Sequence, residues 1–298
     1  SDSDLPRDAD PVARAVYGFL SQAEGNPLIV IPLVNDSSRK MAYLLKRKGR
    51  DVYTVSVPPV KTKEALAEWS RQMELLAEKL SAYTGKSYSR RKLQKAGKEV
   101  ADAKRQLQIF EALAGKRQES LSGIFRMFLP FSYLLADDYG AWAGQCLKLN
   151  RRLARMKEDV GADIRKVLLF GSPVYFPNYK VPFLLREAGL SFGGNFIVPD
   201  VVKLYDGTGG FEEMCRRSFV NDASSSYVRN DTLFLKTSQY LKQYPVDGAV
   251  CHVLKGQIEY DFEMERFERL LAKYDIPMIR METDYNDQDV EQLRLRVE

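Results

Sequence analysis

The sequence contains few of the residues that build disulfide frameworks, metal sites and membrane spans. It has three cysteines in 298 residues, an odd and widely spaced set that indicates a reducing compartment and no disulfide framework. A single histidine, His252, excludes a multi-histidine metal site and leaves little for histidine-based acid–base catalysis. No apolar run approaches the roughly 20 residues of a spanning helix, and the acidic N-terminus does not resemble a signal peptide. These absences predict a cytoplasmic protein with no membrane partner.

The charge balance and the glycine pattern exclude two further classes. The chain has 45 Lys and Arg residues against 40 Asp and Glu residues, a net charge of +5. This mild excess fits weak attraction to anions such as coenzyme A, but it does not indicate a nucleic-acid partner. The glycine pairs at Gly193-Gly194 and Gly207–Gly210 match neither GxGxxG nor GxxxxGK[ST]. A conventional nicotinamide-binding domain is therefore disfavoured.

Hydrophobic patterning predicts two α/β regions separated by helices. The continuous apolar run Leu28–Val34 is typical of a buried parallel strand, and a helix and a second strand, Asp51–Val57, follow it. We predict a first α/β lobe over 1–60, a helical segment packing on the lobes over 61–160, and a second α/β lobe over 161–298. The fold class expected is α/β, with open, doubly wound parallel sheets.

Three loops follow predicted strands at their carboxyl ends, where open α/β sheets bind ligands. They are Asn35–Lys40, Gly171–Asn178 and Lys255–Asp261. The first offers polar side chains at a helix N-terminus, which suits either a polar or anionic ligand or simple N-capping. The second combines a tight glycine turn with aromatic residues, which suits either a pocket or a structural loop.

His252 and the acidic residues that follow it are interpreted as structural. His252 and Cys251 are neighbours on a predicted strand, so their side chains point to opposite faces and do not form a catalytic pair. We expect His252 to be a core histidine. The acidic residues between Glu259 and Glu268 have a spacing that favours capping and i,i+4 ion pairs over catalysis.

An ordered set of motifs connects the chain to a known family. The segment 247–298 contains DGAVCHVL, the loop KGQ, IPMIRMETD and QLRLRVE; upstream stand IVIPLVNDSSRKMAYLL, LSAYTGK and KVLLFGSPVYFPN. Together these resemble the 2-hydroxyglutaryl-CoA dehydratase D-component family, which also contains benzoyl-CoA reductase subunits. The resemblance covers most of the chain and implies Rossmann-like or flavodoxin-like domains. Family members carry a further N-terminal segment, so we expect the first lobe here to be short.

The resemblance implies an oxygen-sensitive complex of anaerobic metabolism that processes acyl-CoA. In this family, related subunits work in pairs, and three cysteines hold a 4Fe-4S cluster with an open iron site facing the thioester. A separate ATP-dependent iron–sulfur activator supplies an electron. The reaction is then radical dehydration of a 2-hydroxyacyl-CoA or reduction of an aromatic ring, and the sequence leaves both open.

The chain departs from the family at the cluster ligands. The three family cysteine positions align with Asp10, Asn35 and Gln257, and the chain's own cysteines lie elsewhere. Oxygen-rich side chains suit an iron–sulfur cluster poorly. Three interpretations remain: a cluster-poor subunit whose cysteine-bearing partner holds the cluster, a non-catalytic scaffold or binding protein derived from the family, or a displaced alignment with a cluster present. We favour the first.

The resemblance and the loop positions together define a candidate pocket. Asn35 and Gln257 are expected to hydrogen-bond a thioester or a cluster sulfide. The start of the helix after Asn35 is expected to meet a polar or phosphate group. The predicted pocket wall comprises Asp10, Asn35, Ser37, Ser38, Arg39, Ser172, Tyr175, Lys255 and Gln257.

Overall fold

The computed structural model describes residues 4–6, 8–117, 120–159, 164–174, 178–192, 207–222, 224–286 and 288–297. The predicted site residue Tyr175 lies outside these ranges. No helix of the described residues has both the length and the apolar character needed to cross a bilayer.

The first sheet contains two parallel strands and is flanked by two helices. Its elements are α1 (Pro11–Gln22), β1 (Ile29–Leu33), α2 (Asp36–Arg47) and β2 (Val52–Ser56). The register runs from Ile29 opposite Val52 to Leu33 opposite Ser56. Tyr17 of α1 and Leu45 of α2 are fully buried in the same core as Ile29 and Ile31, because both helices present an apolar stripe to the strands.

The middle of the chain is helical, as its lack of strand signal predicts. It forms α3 (Lys63–Thr84), α4 (Arg90–Gly115), α5 (Gly123–Leu134) and α6 (Tyr139–Leu153). Thr62 and Ser89 cap α3 and α4 by accepting hydrogen bonds from backbone N–H groups. Helices α4 and α6 share a core that includes Leu107, Phe110 and Leu153. Helix α5 contains Pro130 inside the helix.

The second sheet has four parallel strands in the order β4-β3-β5-β6. The chain runs from β3 outward to β4 and then returns to the other side of β3, so a topological switch point lies between β3 and β5. Both faces are covered: Leu169 packs with Leu185, and Phe170 packs on Phe267 with ring centroids 4.5 Å apart. The elements are β3 (Lys166–Gly171), α7 (Lys180–Glu187), β4 (Ser191–Phe192), α8 (Phe211–Asn221), α9 (Asp231–Gln243), β5 (Gly248–Leu254), α10 (Ile258–Asp261), α11 (Met264–Ala272), β6 (Met278–Thr283) and α12 (Val290–Val297).

The predicted fold class is confirmed, with local corrections. The molecule is α/β, with two parallel sheets and a long helical region. The segment Lys255–Asp261, predicted as a loop, contains the single turn α10. Helix α8 is not predicted from the sequence, because its start follows a glycine loop and has no side-chain N-cap hydrogen bond.

Candidate functional site

The three segments that carry Asp10, Asn35 and Gln257 meet at one place. The side-chain amide Nε2 of Gln257 donates to Oδ1 of Asp10 over 3.1 Å. The backbone N–H of Asp10 donates to Oγ of Ser37 over 3.4 Å, which joins the start of α1 to the start of α2. The segment before α1, the loop after β1 and the loop after β5 therefore form a single polar cluster.

Asp10 is held in place by its position at the start of α1. It is the N-cap residue, and its Oδ1 accepts a hydrogen bond from the backbone N–H of Val12 over 2.8 Å. Pro11 occupies the first helical position, where its missing N–H costs nothing. Asp10 is only 7% exposed. Its carboxylate thus stabilises the helix and faces Gln257 at the same time.

Asn35 and Ser38 form a capping box at the start of α2. Oδ1 of Asn35 accepts from the backbone N–H of Ser38 over 2.9 Å, and Oγ of Ser38 accepts from the backbone N–H of Asn35 over 3.1 Å. Of the two readings of this loop, N-capping is therefore confirmed for these two residues. Arg39 points away, toward Asp36, and is well exposed.

Gln257 reaches the cluster because of the glycine before it. Gly256 has φ +90°, and a Cβ at this position would lie 2.8 Å from the carbonyl oxygen of Asp8. Gln257 itself is 7% exposed, and its Oε1 has no hydrogen-bond partner among the described residues. Lys255 points outward and pairs with Asp8 over 3.3 Å.

Glu259 completes the cluster, although sequence analysis assigned it to helix capping. Its carboxylate lies within range of electrostatic interaction with the Asn35 side chain and with Asp10. Burial raises the pKa of Glu259 above its ordinary value, and the negative charge of Asp10 raises it further; its own backbone N–H and the Asn35 side chain oppose this. The signal that could have identified Glu259 is its position two residues after Gln257 in the same loop.

Ser172 and His252 form a separate buried group at the switch point between β3 and β5. Oγ of Ser172 accepts from the backbone N–H of Leu254 over 2.8 Å. Nδ1 of His252 donates to the carbonyl oxygen of Ser172, since a carbonyl can only accept, and Nε2 therefore accepts from Oγ1 of Thr283 over 2.7 Å. Burial lowers the pKa of His252 to about 4. His252 is a neutral core histidine, as predicted, and the structure does not bring Ser172 to the polar cluster.

The three cysteines are buried, free and located in different parts of the fold. Cys146 lies in the core between α4 and α6, Cys215 on α8, and Cys251 on β5. Burial raises the pKa of each thiol, to about 11 for Cys146 and Cys215 and about 12 for Cys251. These neutral thiols are poor metal ligands, because the thiolate is the form that binds.

The residues predicted to align with the family's cluster ligands do not fit a 4Fe-4S cluster. Asp10 and Asn35 provide a carboxylate and an amide that already cap two helices, and Gln257 is bonded to Asp10. None of these donors is the thiolate that binds iron–sulfur clusters. In the part of the chain that the structure describes, no three His, Cys, Asp or Glu side chains are grouped to hold a metal.

Comparison with known proteins identifies the family of this chain. The family profile for "2-hydroxyglutaryl-CoA dehydratase, D-component" matches residues 1–298. A protein of Escherichia coli (strain K12), "Putative dehydratase subunit YjiM", is 24% identical over 310 aligned residues, which cover 100% of this chain and 80% of that protein. The chain belongs to the 2-hydroxyglutaryl-CoA dehydratase D-component family.

Proposed function

We propose that this chain is a cytoplasmic subunit of an acyl-CoA-processing complex and that it is the subunit without cluster ligands. A related cysteine-bearing subunit would hold the 4Fe-4S cluster, and an ATP-dependent iron–sulfur activator would supply the electron. The overall reaction would be dehydration of a 2-hydroxyacyl-CoA or, as in benzoyl-CoA reductases, reduction of an aromatic ring. Family membership supports a dehydratase-type subunit.

One observation carries the proposal. Asp10, Asn35 and Gln257, which the family resemblance aligns with the cluster ligands, lie on segments that meet, yet each side chain is engaged as a cap or as a partner of another member. The three loops thus come together without thiolate ligands among these residues. This combination is expected of a subunit that keeps the pocket architecture and relies on a partner for the redox group.

The role proposed for this chain's residues is to shape the pocket wall. Asn35 and Gln257 present amide groups that can hydrogen-bond a thioester, while Ser37 lies in the first turn of α2 and Lys255 on the loop after β5. Ser172 is fully buried, and its Oγ accepts a hydrogen bond from the backbone N–H of Leu254. Any effect of Ser172 on the pocket therefore depends on the position of Leu254. The assignment of Tyr175 stays a prediction.

The first experiment is the measurement of iron and acid-labile sulfide in anaerobically purified protein, alone and with a co-purifying partner. Iron that is present only with the partner would support the proposal. About four irons on the isolated chain would contradict it and would mean that the ligand positions are displaced. Absence of iron from both preparations would favour a non-catalytic scaffold or binding protein.

The second experiment tests the pocket. Asn35→Ala and Gln257→Ala are expected to lower acyl-CoA affinity and the activity of the assembled complex. Asp36→Asn is a matched control, because Asp36 is adjacent to Asn35 but its side chain is 98% exposed. Unchanged affinity and activity in both alanine variants would exclude the pocket role.

A further inference from the structure

The buried carbonyl oxygen of Gln257 indicates that the polar cluster binds something that the described residues do not supply. Gln257 is 7% exposed, and Oε1 has no partner among the described residues. The orientation of the amide is fixed, because Nε2 donates to the carboxylate of Asp10, and a flipped amide would set two oxygens against each other. Burial of an acceptor without a partner costs free energy of folding. We therefore expect a hydrogen-bond donor or a cation to contact Oε1.

The charge of the cluster favours a cation over a neutral donor. The carboxylate of Asp10 is bonded to Gln257, and Glu259 stands two residues further along the same segment, within reach of the charge of Asp10. The cation on this loop, Lys255, is about half exposed and is paired with Asp8. Helices α1 and α2 begin here, and each N-terminus is equivalent to about half a positive charge. Two such ends offset about half of the two carboxylate charges, so these four contributions together leave a negative charge.

The donor atoms define the class of cation. Val12 and Gln257 both donate hydrogen bonds to Oδ1 of Asp10. Neither of these bonds uses the second carboxylate oxygen, Oδ2. Oxygen donors of this kind, carboxylates together with an amide carbonyl, are those that hard divalent cations prefer. Such a cation keeps several waters, so a complete protein cage is not required.

We propose that Asp10, Gln257 and Glu259 form a binding site for a hard divalent cation, Mg²⁺ or Ca²⁺. This site does not depend on acyl-CoA binding or on the presence of a partner subunit, so it goes beyond the function proposed above.

The test is titration of chelator-treated full-length protein with MgCl₂ or CaCl₂ at constant ionic strength set with KCl. Calorimetry is expected to give one bound ion per chain, and the melting temperature is expected to rise with that ion and not with KCl. Glu259→Gln is expected to weaken binding at least tenfold, whereas Asp36→Asn, the exposed neighbour of Asn35, is expected to leave it unchanged.

A gain-of-binding variant keeps the test independent of folding losses. Gln257→Glu adds a third carboxylate, so it is expected to melt earlier than the parent without divalent ions and to bind the ion at least tenfold more tightly. Absence of heat and of a melting shift with both salts would overturn the inference and would indicate that a buried water or a protonated Glu259 satisfies Oε1. Equal weakening by Asp36→Asn and Glu259→Gln would also overturn it. The iron and acyl-CoA measurements are unaffected by either result.

Discussion

Gln257 donates a hydrogen bond to Asp10 across 247 positions of sequence, with 3.1 Å between Nε2 and Oδ1. This bond connects the first turn of α1 to the loop after β5 of the second sheet. It depends on the path of Gly256, whose backbone passes directly against Asp8 and Asp10.

The first prediction concerns Gly256. Gly256→Ala is expected to destabilise the protein by about 3 kcal/mol, because the new Cβ adds a backbone clash to the strain of a positive φ. Gly49→Ala is the matched control: Gly49 has φ +78°, but nothing lies within 4 Å of its Cβ position, so about 1 kcal/mol is expected. The free energy of unfolding from urea titration measures both. Equal decreases in the free energy of unfolding of the two variants would show that the close approach at Gly256 does not affect stability.

The second prediction concerns His252, the one histidine of the chain. Its pKa is about 4 when folded against an ordinary 6.5, so the unfolded state binds the proton more readily. Neutral His252 therefore contributes its full share of the free energy of unfolding above pH 6.5. This contribution is lost as the pH falls from 6.5 through 4. We expect a loss of about 2 kcal/mol between pH 7.5 and pH 5.

The measurement is the pH dependence of the free energy of unfolding in the parent and in His252→Gln. The variant is expected to be less stable at pH 7.5, but its stability is expected to fall by about 2 kcal/mol less on acidification. Carboxylates titrate in both proteins and cancel in the difference. Parallel curves would mean that His252 becomes protonated without loss of its contacts.

The third prediction concerns Lys180, at the start of α7. Its side chain is 6% exposed, and Nζ lies 2.6 Å from Oδ1 of Asp289 and 2.6 Å from the carbonyl oxygen of Asn286. Lys180→Met leaves Asp289, which is only partly exposed, without its cation, and a loss of about 2 to 3 kcal/mol is expected. Lys116→Met breaks an exposed pair with Glu158 and should cost less than about 1 kcal/mol. The melting temperatures of the two variants compare the Lys180–Asp289 pair with the Lys116–Glu158 pair. A similar small decrease in both would contradict the structural role of Lys180.

The fourth prediction separates the two roles of Asn35. Asn35→Ala removes the cap of α2 and the amide near Glu259, and should cost about 1 kcal/mol. Asn35→Asp keeps an acceptor for the Ser38 N–H, so the cap is retained, but it replaces the neutral amide near Glu259 by a negative charge. We expect near-parental stability at pH 7 from Asn35→Asp together with a further rise in the pKa of Glu259. Carboxyl resonances followed by NMR titration test this, and an unchanged Glu259 titration would disprove the contact.

Much of the fold follows from local sequence signals. The apolar run around Ile29 and the helix N-terminus at Asn35 place β1 and α2 within a few residues of their observed bounds. These elements are predictable because burial and capping act over short stretches of chain. Helix α5 is only partly anticipated, since Pro130 is a helix breaker in isolation and is tolerated here within a packed apolar segment.

The candidate site is less predictable because its contacts are distant in sequence. The positions of Asp10, Asn35 and Gln257 follow from the family resemblance, but the bond between Asp10 and Gln257 does not follow from local pattern. Glu259 was assigned to capping because its acidic neighbours form helical ion pairs, as Glu265 does with Arg269. Its contact with Asn35 arises from the turn at Gly256, which only the three-dimensional arrangement reveals.

Asp10, Asn35 and Gln257 each stand immediately before a helix, and this limits which residues the positions tolerate. Asp and Asn are among the best residues at such a position, whereas a thiol is a weak hydrogen-bond acceptor. Cysteine in place of Asp10 and Asn35 would remove two caps, at about 1 kcal/mol each, before any cluster could form. Helix stability alone therefore opposes thiolate ligands at these two positions.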